Sequence, residues 1–243
     1  VRIICIHGAG ESSALWQPVV DQLTEATALD LPGHGGQGGR GENTVEGYAQ
    51  WLAGHIEGDE PVVLAGHSLG GAIALRLALQ PQRPAWLAAL ALVGSGARLR
   101  VSPDILHLLR TDFAAAGDLL YEWAAGDKSV AGLRETFDTA MSQAGPGITE
   151  GDYLAADGFD AMDVVREIDL PALAIVGSED RMTPPKYTRY LRDTMPNCRL
   201  VEIEGAGHLV PLERAMQTAQ AIGEFAADLS KRSNRLDSDG QVG

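Results

Sequence analysis

Pro61-Val62-Val63-Leu64-Ala65-Gly66-His67-Ser68-Leu69-Gly70 is the stretch that decides the fold. Its first half is a short apolar run that suits a strand buried on both faces, and the alanine- and leucine-rich stretch from Leu69 to about Leu79 predicts a helix directly behind it. Between the two, Gly66-His67-Ser68-Leu69-Gly70 matches G-x-S-x-G. A serine on so tight a strand-to-helix turn has its hydroxyl exposed, and glycines two residues either side avoid collision with neighbouring backbone. The helix aims its positive end and free N–H groups at the same spot, where an oxyanion would form.

Strand and helix signals alternate outward from this turn. Upstream, residues 1–6 read as a β-branched strand stopped by Gly8 and Gly10. Ser12 or Ser13 caps a helix expected to run to about Thr24, with Pro18 making its first turn irregular. Residues 27–31 read as a second strand, followed by a loop, because residues 33–41 hold six glycines. Asn43 or Thr44 caps the next helix, whose apolar positions Val45, Tyr48, Leu52 and Ile56 recur at helical spacing. Downstream, strands are expected over 87–93, 172–176 and 199–203, and a last helix from about Glu213 to Leu229. This order predicts an α/β fold: a mostly parallel sheet of about six strands with helices on both faces.

Between residues 98 and 166 the alternation breaks. The segment shows helical patterns, such as Ile105, Leu108, Leu109 and Phe113, but no convincing strand, and about seventy residues are too many for one crossover helix. It reads as an inserted helical lid. The expected division is a core of residues 1–97 and 167–230, a lid of 98–166 and a polar tail of 231–243. No internal repeat is seen.

The bulk numbers agree with a single domain. The 243 residues are 45% hydrophobic, enough for one substantial core. With 33 acidic against 19 basic residues the net charge is -14, which argues against nucleic acid and anionic membranes as partners. The one dense basic cluster, Lys231, Arg232 and Arg235, falls in the polar tail. Two cysteines make no disulfide framework and no metal-ligand spacing occurs, so neither metal nor cofactor is expected, and Cys5 and Cys198 are expected to be unpaired. No apolar run approaches the ~18 residues of a membrane span. A cytoplasmic location is the expectation. The sequence opens at Val1 directly on a strand, which leaves a trimmed leader open.

These motifs resemble the α/β-hydrolase superfamily, and the resemblance covers Val1 to about Leu229. Besides the serine turn, His7-Gly8-Ala9-Gly10 resembles the family's oxyanion loop, and Asp30-Leu31-Pro32-Gly33-His34-Gly35 resembles the loop after its next strand. Against the family's eight-strand sheet, the first two edge strands are missing. In such enzymes an acid and then a histidine follow the serine. The resemblance therefore implies Ser68 as nucleophile, His208 in Gly205-Ala206-Gly207-His208 as base, and Asp180 in Ser178-Glu179-Asp180 as the acid that orients it, with Glu179 as the rival. It also implies an oxyanion hole from the backbone N–H groups of Ala9 and Leu69. His67 and His34 are read as local packing and tethering residues, and Asp30 as an anchor of its own loop. His7, Phe113, Trp123, Phe137 and Phe159 are the candidates for substrate contact.

The implied activity is hydrolysis of a small carboxylic ester or thioester through an acyl-enzyme. The same triad in this superfamily serves C–C hydrolases, perhydrolases and hydroxynitrile lyases, and the scaffold serves some slow-turnover hormone receptors and a menaquinone-type synthase. Haloalkane dehalogenases and epoxide hydrolases differ, because they carry an aspartate where Ser68 stands. The sequence leaves oligomeric state open.

Overall fold

The computed structural model describes the backbone of residues 1–239 and the side chains of residues 1–231. Six strands, β1 (Arg2–Ile6), β2 (Ala26–Leu29), β3 (Val62–His67), β4 (Leu87–Val93), β5 (Ala172–Gly177) and β6 (Cys198–Ile203), form one sheet in the order β2-β1-β3-β4-β5-β6. Every neighbouring pair is parallel.

Alternate residues of the central strands feed two separate cores, as the two-residue period of a strand requires. Ile4, Ile6, Val62, Leu64, Leu90 and Leu92 pack on one face in a cluster that includes residues of α2 (Val45–His55), α3 (Leu69–Ala78) and α7 (Lys186–Thr194). Ile3, Cys5, Val63, Ala65, Ala89 and Ala91 pack on the other face in a cluster that includes residues of α1 (Gln17–Val20) and α9 (Ala215–Asp239). Both faces being dry, the strands read as continuous apolar runs rather than alternating ones. Thr44 caps α2 by accepting from the Gly47 N–H at 3.1 Å.

Between β4 and β5 stand α4 (Pro103–Thr111), α5 (Phe113–Ala124) and α6 (Leu133–Gly158). The two ends of this insert meet: Arg98 and Asp160 form an antiparallel bridge, and the Ala161 N–H donates to the Ala97 carbonyl at 2.7 Å. Within α6 the backbone breaks at Gly145 (φ 73°, ψ 172°), immediately before Pro146. Proline removes a donor and obstructs the preceding turn, so two helical halves meet there.

Two expectations need correction and one needs detail. The helix expected from Ser12 to Thr24 is a 3-10 turn, Ser13–Leu15, followed by only four residues of α1, since Pro18 fits only in a first turn and the helix restarts around it. The last helix starts about where expected, with α9 from Ala215, but a separate α8 (Val210–Glu213) precedes it, the two parted by Arg214, whose backbone is not helical (φ -140°, ψ 52°). The tail expected from residue 231 continues α9 to Asp239, as nothing between 231 and 239 is a glycine or proline. Residues 240–243, and the side chains of Arg232 and Arg235, lie outside the described residues.

Cys5 and Cys198 are free. They sit on β1 and β6 with three strands between them, a separation of roughly 19 Å at ~4.8 Å per strand, far beyond disulfide reach. Among the described residues no helix is long and apolar enough to cross a membrane.

Candidate active site

Ser68 stands between β3 and α3 with φ 50° and ψ -113°, a conformation that costs a non-glycine residue about 1–3 kcal/mol. Contacts force the glycines around it. A β-carbon on Gly66 would collide with the backbone of Gly70 and Gly71, and one on Gly70 would stand 2.5 Å from the Ile6 carbonyl oxygen and 2.7 Å from that of His7. The turn is pinned at both ends: the Ser68 N–H donates to the Val93 carbonyl at 2.9 Å, and Ser95 Oγ donates to the Ser68 carbonyl at 2.8 Å. The Ser68 side chain is half-buried, and its hydroxyl makes no hydrogen bond among the described residues.

Asp180 follows β5 and His208 follows β6, both at carboxyl ends of parallel strands. Asp180 Oδ2 lies 2.8 Å from His208 Nδ1, while Oδ1 accepts from the N–H groups of Met182 (2.9 Å) and Thr183 (2.8 Å). Glu179 is exposed and makes no such contact. Thr183 Oγ1 lies 2.7 Å from the Gly94 carbonyl and 2.9 Å from Asp180 Oδ2, so its one proton serves either. Burial pulls the His208 imidazole down in pKa, but the charge and hydrogen bond of Asp180 outweigh it, and the ring sits above the ordinary histidine value.

The loop after β1 lies against the serine. A β-carbon on Gly8 would meet Ser68 Cβ and His67 Nδ1, each at 3.0 Å. Its N–H donates to Glu11 Oε2 at 2.6 Å; the same oxygen is 2.8 Å from His67 Nδ1, and His67 Nε2 is 2.9 Å from the His208 carbonyl oxygen. One buried chain thus joins the loop, the residue before Ser68 and the backbone of His208. Burial pushes the Glu11 carboxyl up, and the charge and hydrogen bond of His67 more than offset it, leaving it below the usual range. The N–H groups of Ala9 and Leu69 have no acceptor among the described residues.

The insert is fastened to the core by two buried carboxylates that no sequence motif marks. Glu213 takes the N–H groups of Asp127 (2.7 Å), Gly207 (2.9 Å) and Gly126 (3.3 Å), while the His208 N–H donates to the Ala124 carbonyl at 2.7 Å. Asp152, in the second half of α6, bonds to the loop after β1, to the loop after β2 and to α2. Their partners are distant in sequence and mostly backbone groups, so local spacing carries no trace of them.

Of the residues expected to contact substrate, His7 is wholly buried: its Nε2 accepts from the Leu31 N–H at 3.0 Å and its Nδ1 faces the Gly8 carbonyl at 2.8 Å. Burial, then the neighbouring His34, lowers its pKa to about 4. The ring therefore ties two loops together and is not open to a ligand. Phe137 packs on Tyr121 with ring centroids 5.6 Å apart, in the cluster against which Phe113 and Trp123 are half-buried. Phe159 is in the opposite cluster, with the Arg76 guanidinium 5.8 Å from its ring, and is not brought to the site. Met141, which the sequence reading passed over, lies near the loop after β1: its Cγ is 3.5 Å from where a Gly10 β-carbon would stand. It also lines a groove of about 460 Å³ between α5 and α6, with Phe113, Gly117, Arg134 and Pro146.

Comparison with known proteins matches residues 3–221 to a family described as the alpha/beta hydrolase family. A pimeloyl-[acyl-carrier protein] methyl ester esterase of Neisseria meningitidis is 28% identical over 241 residues, covering 92% of this chain and 93% of its own. A thermophilic esterase of known structure is 34% identical with a TM-score of 0.81, covering 94% of this chain and 90% of its own. The enol-lactonase of Burkholderia xenovorans LB400, at 22% identity and a TM-score of 0.82 over 93% of this chain and 92% of its own, shares the fold.

Proposed function

The chain belongs to the alpha/beta hydrolase family, and on that premise we propose that it is a carboxylesterase-like serine hydrolase in which Ser68 is acylated, His208 moves the proton and Asp180 orients His208. The observation that carries this reading is the buried 2.8 Å contact between Asp180 Oδ2 and His208 Nδ1, taken with a serine held at φ 50° in the turn after β3. Nδ1 being engaged, Nε2 is the nitrogen left to serve Ser68.

Ser68 Oγ attacks the ester carbonyl carbon while His208 takes its proton. The oxyanion that forms is met by the N–H groups of Ala9 and Leu69. His208 returns the proton to the departing alkoxide as the C–O bond breaks, leaving an acyl-Ser68. Water then attacks this acyl group with His208 again as base, and the acid and free Ser68 are released. The loose placement of the Ser68 hydroxyl suits a free enzyme, in which such contacts tighten on substrate binding.

Residues 98–166 act as a lid in this reading. Met141 lines the groove between α5 and α6 and lies near Gly10 of the loop after β1, and this supports an acyl chain lying there. A compact free ester is favoured over an acidic carrier-borne one. The net charge is -14, and Arg98, Arg100, Arg110, Lys128 and Arg134 of the insert are each already paired with a carboxylate.

A fluorophosphonate should add one covalent label to the wild type and none to Ser68→Ala, and a panel of p-nitrophenyl esters of increasing acyl length should be cleaved only by the former. Phe113→Ala and Met141→Ala should redistribute activity along the panel. Activity surviving in Ser68→Ala, or preference for a C–C substrate run beside the esters, would overturn the reading.

A further inference from the structure

We infer that Asp152, a residue of the insert, is a positioning residue that sets the Ala9 N–H toward the reacting carbonyl. The inference rests on the reading of Ser68 as nucleophile and Ala9 as oxyanion donor.

Asp152 is completely buried. Its Oδ2 accepts from the Gly10 N–H at 2.8 Å and lies 2.8 Å from His34 Nε2, and its Oδ1 accepts from the Tyr48 hydroxyl at 2.5 Å. His34 Nδ1 in turn faces the Pro32 carbonyl at 3.1 Å. Both ring nitrogens of His34 thus face oxygens, and a ring that satisfies both carries two protons and a positive charge opposite the carboxylate. In keeping with that, burial pulls His34 down but the hydrogen bond and charge of Asp152 outweigh it and hold its pKa above the usual value.

A buried carboxylate costs several kcal/mol unless its oxygens are matched by donors. Here all three donors come from the core, and none from the insert that carries the residue. Asp152 is therefore placed to join the insert to the core rather than to stabilise its own helix.

The loop shows why the join matters. Its Gly8 N–H is held by Glu11 and its Gly10 N–H by Asp152, while the Ala9 N–H between them has no acceptor among the described residues. Two carboxylates fix the flanking peptide planes and leave the middle donor free. Glu11 belongs to the loop itself, whereas Asp152 arrives from 142 residues away. Seating of the insert and completion of the oxyanion hole are then one event.

The test compares Asp152→Ala and Asp152→Asn with wild type, each below its melting temperature, on one p-nitrophenyl ester and on a trifluoromethyl ketone that adds to the serine as an oxyanion. Loss of an oxyanion donor lowers kcat about 100- to 1000-fold, so displacement of one in Asp152→Ala should lower kcat and ketone affinity together by roughly 30-fold. KM should change little. Asp152→Asn still offers an oxygen to Gly10 and should recover most of the loss. Wild-type kcat and ketone affinity in Asp152→Ala, or a loss confined to KM, overturns the inference. Should that variant not fold, Asp152→Glu keeps the buried charge but moves the carboxylate, and wild-type values in it are equally fatal. Activity surviving in Ser68→Ala would instead defeat the underlying reading of the nucleophile.

Discussion

The ring of His67 lies 2.9 Å, through Nε2, from the carbonyl oxygen of His208, and the two imidazoles stand 4.7 Å apart at 53°. The residue next to the candidate nucleophile therefore holds the backbone of the candidate base. Its other nitrogen is held by Glu11, which also binds the Gly8 N–H. A change at His67 should disturb both partners of Ser68 at once. In His67→Phe we expect kcat to fall roughly 10- to 100-fold, since small misplacements near the chemistry have effects of that order. Steady-state kinetics with circular dichroism checks it: an unchanged kcat in a folded variant would reduce His67 to packing.

The pH profile should report His208. A general base works when neutral, so activity should rise as pH climbs through its folded pKa, which Asp180 holds above the ordinary value. Asp180→Asn removes the charge that holds it there. The ascending limb should move to lower pH and the plateau should drop by about 10⁴, as removal of a triad acid does elsewhere. A limb that moves up instead would contradict the electrostatic role given to Asp180.

His7 predicts a loss of stability in acid. Its folded pKa is lowered to about 4 by burial and then by His34, against 6.5 for an exposed ring. With the folded value depressed, its contribution is fully present above pH 6.5 and is lost as pH falls toward 4. The difference corresponds to about 3 kcal/mol. Urea unfolding between pH 7 and pH 4 should show a shallower decline for His7→Gln, whose amide oxygen can still accept from Leu31. Parallel curves for the two proteins would exclude His7 as a source of the acid sensitivity.

Glu213 should matter more for stability than its place in a four-residue helix suggests. Removing its carboxylate leaves the N–H groups of Asp127, Gly207 and Gly126 without an acceptor; the buried Gly207 donor costs about 1–3 kcal/mol unpaired, while the more open Gly126 and Asp127 can turn to water. Glu213→Ala should therefore lose about 1–3 kcal/mol, while Glu213→Gln, which keeps an accepting oxygen, should lose less. Chemical denaturation of both variants tests this, and equal stabilities would show that the fastening is redundant.

What could be read from the sequence follows physical locality. The turn around Ser68 was legible because strain, glycines, strand and helix fall within one short window, and β4 coincides with residues 87–93 as read. Asp180 and His208 were legible as residues at strand ends. Glu11, Asp152 and Glu213 were not, because a buried carboxylate is defined by its donors, and theirs come largely from backbone or from the far side of the fold. Phe159 joins the opposite cluster for a related reason. It is the C-cap of α6, with extended backbone (φ -79°, ψ 122°), so its direction is set by the chain's exit from the helix toward the Arg98–Asp160 bridge and not by a local pattern.

The break at Gly145 has a mechanical consequence. Phe137 and Met141 precede Gly145, and Asp152 follows it. Met141 at the groove and the buried contact of Asp152 therefore lie on two rods that meet at a glycine, each with its own anchorage in the fold. A change that tilts the first half is absorbed at Gly145 rather than carried along one stiff axis to Asp152.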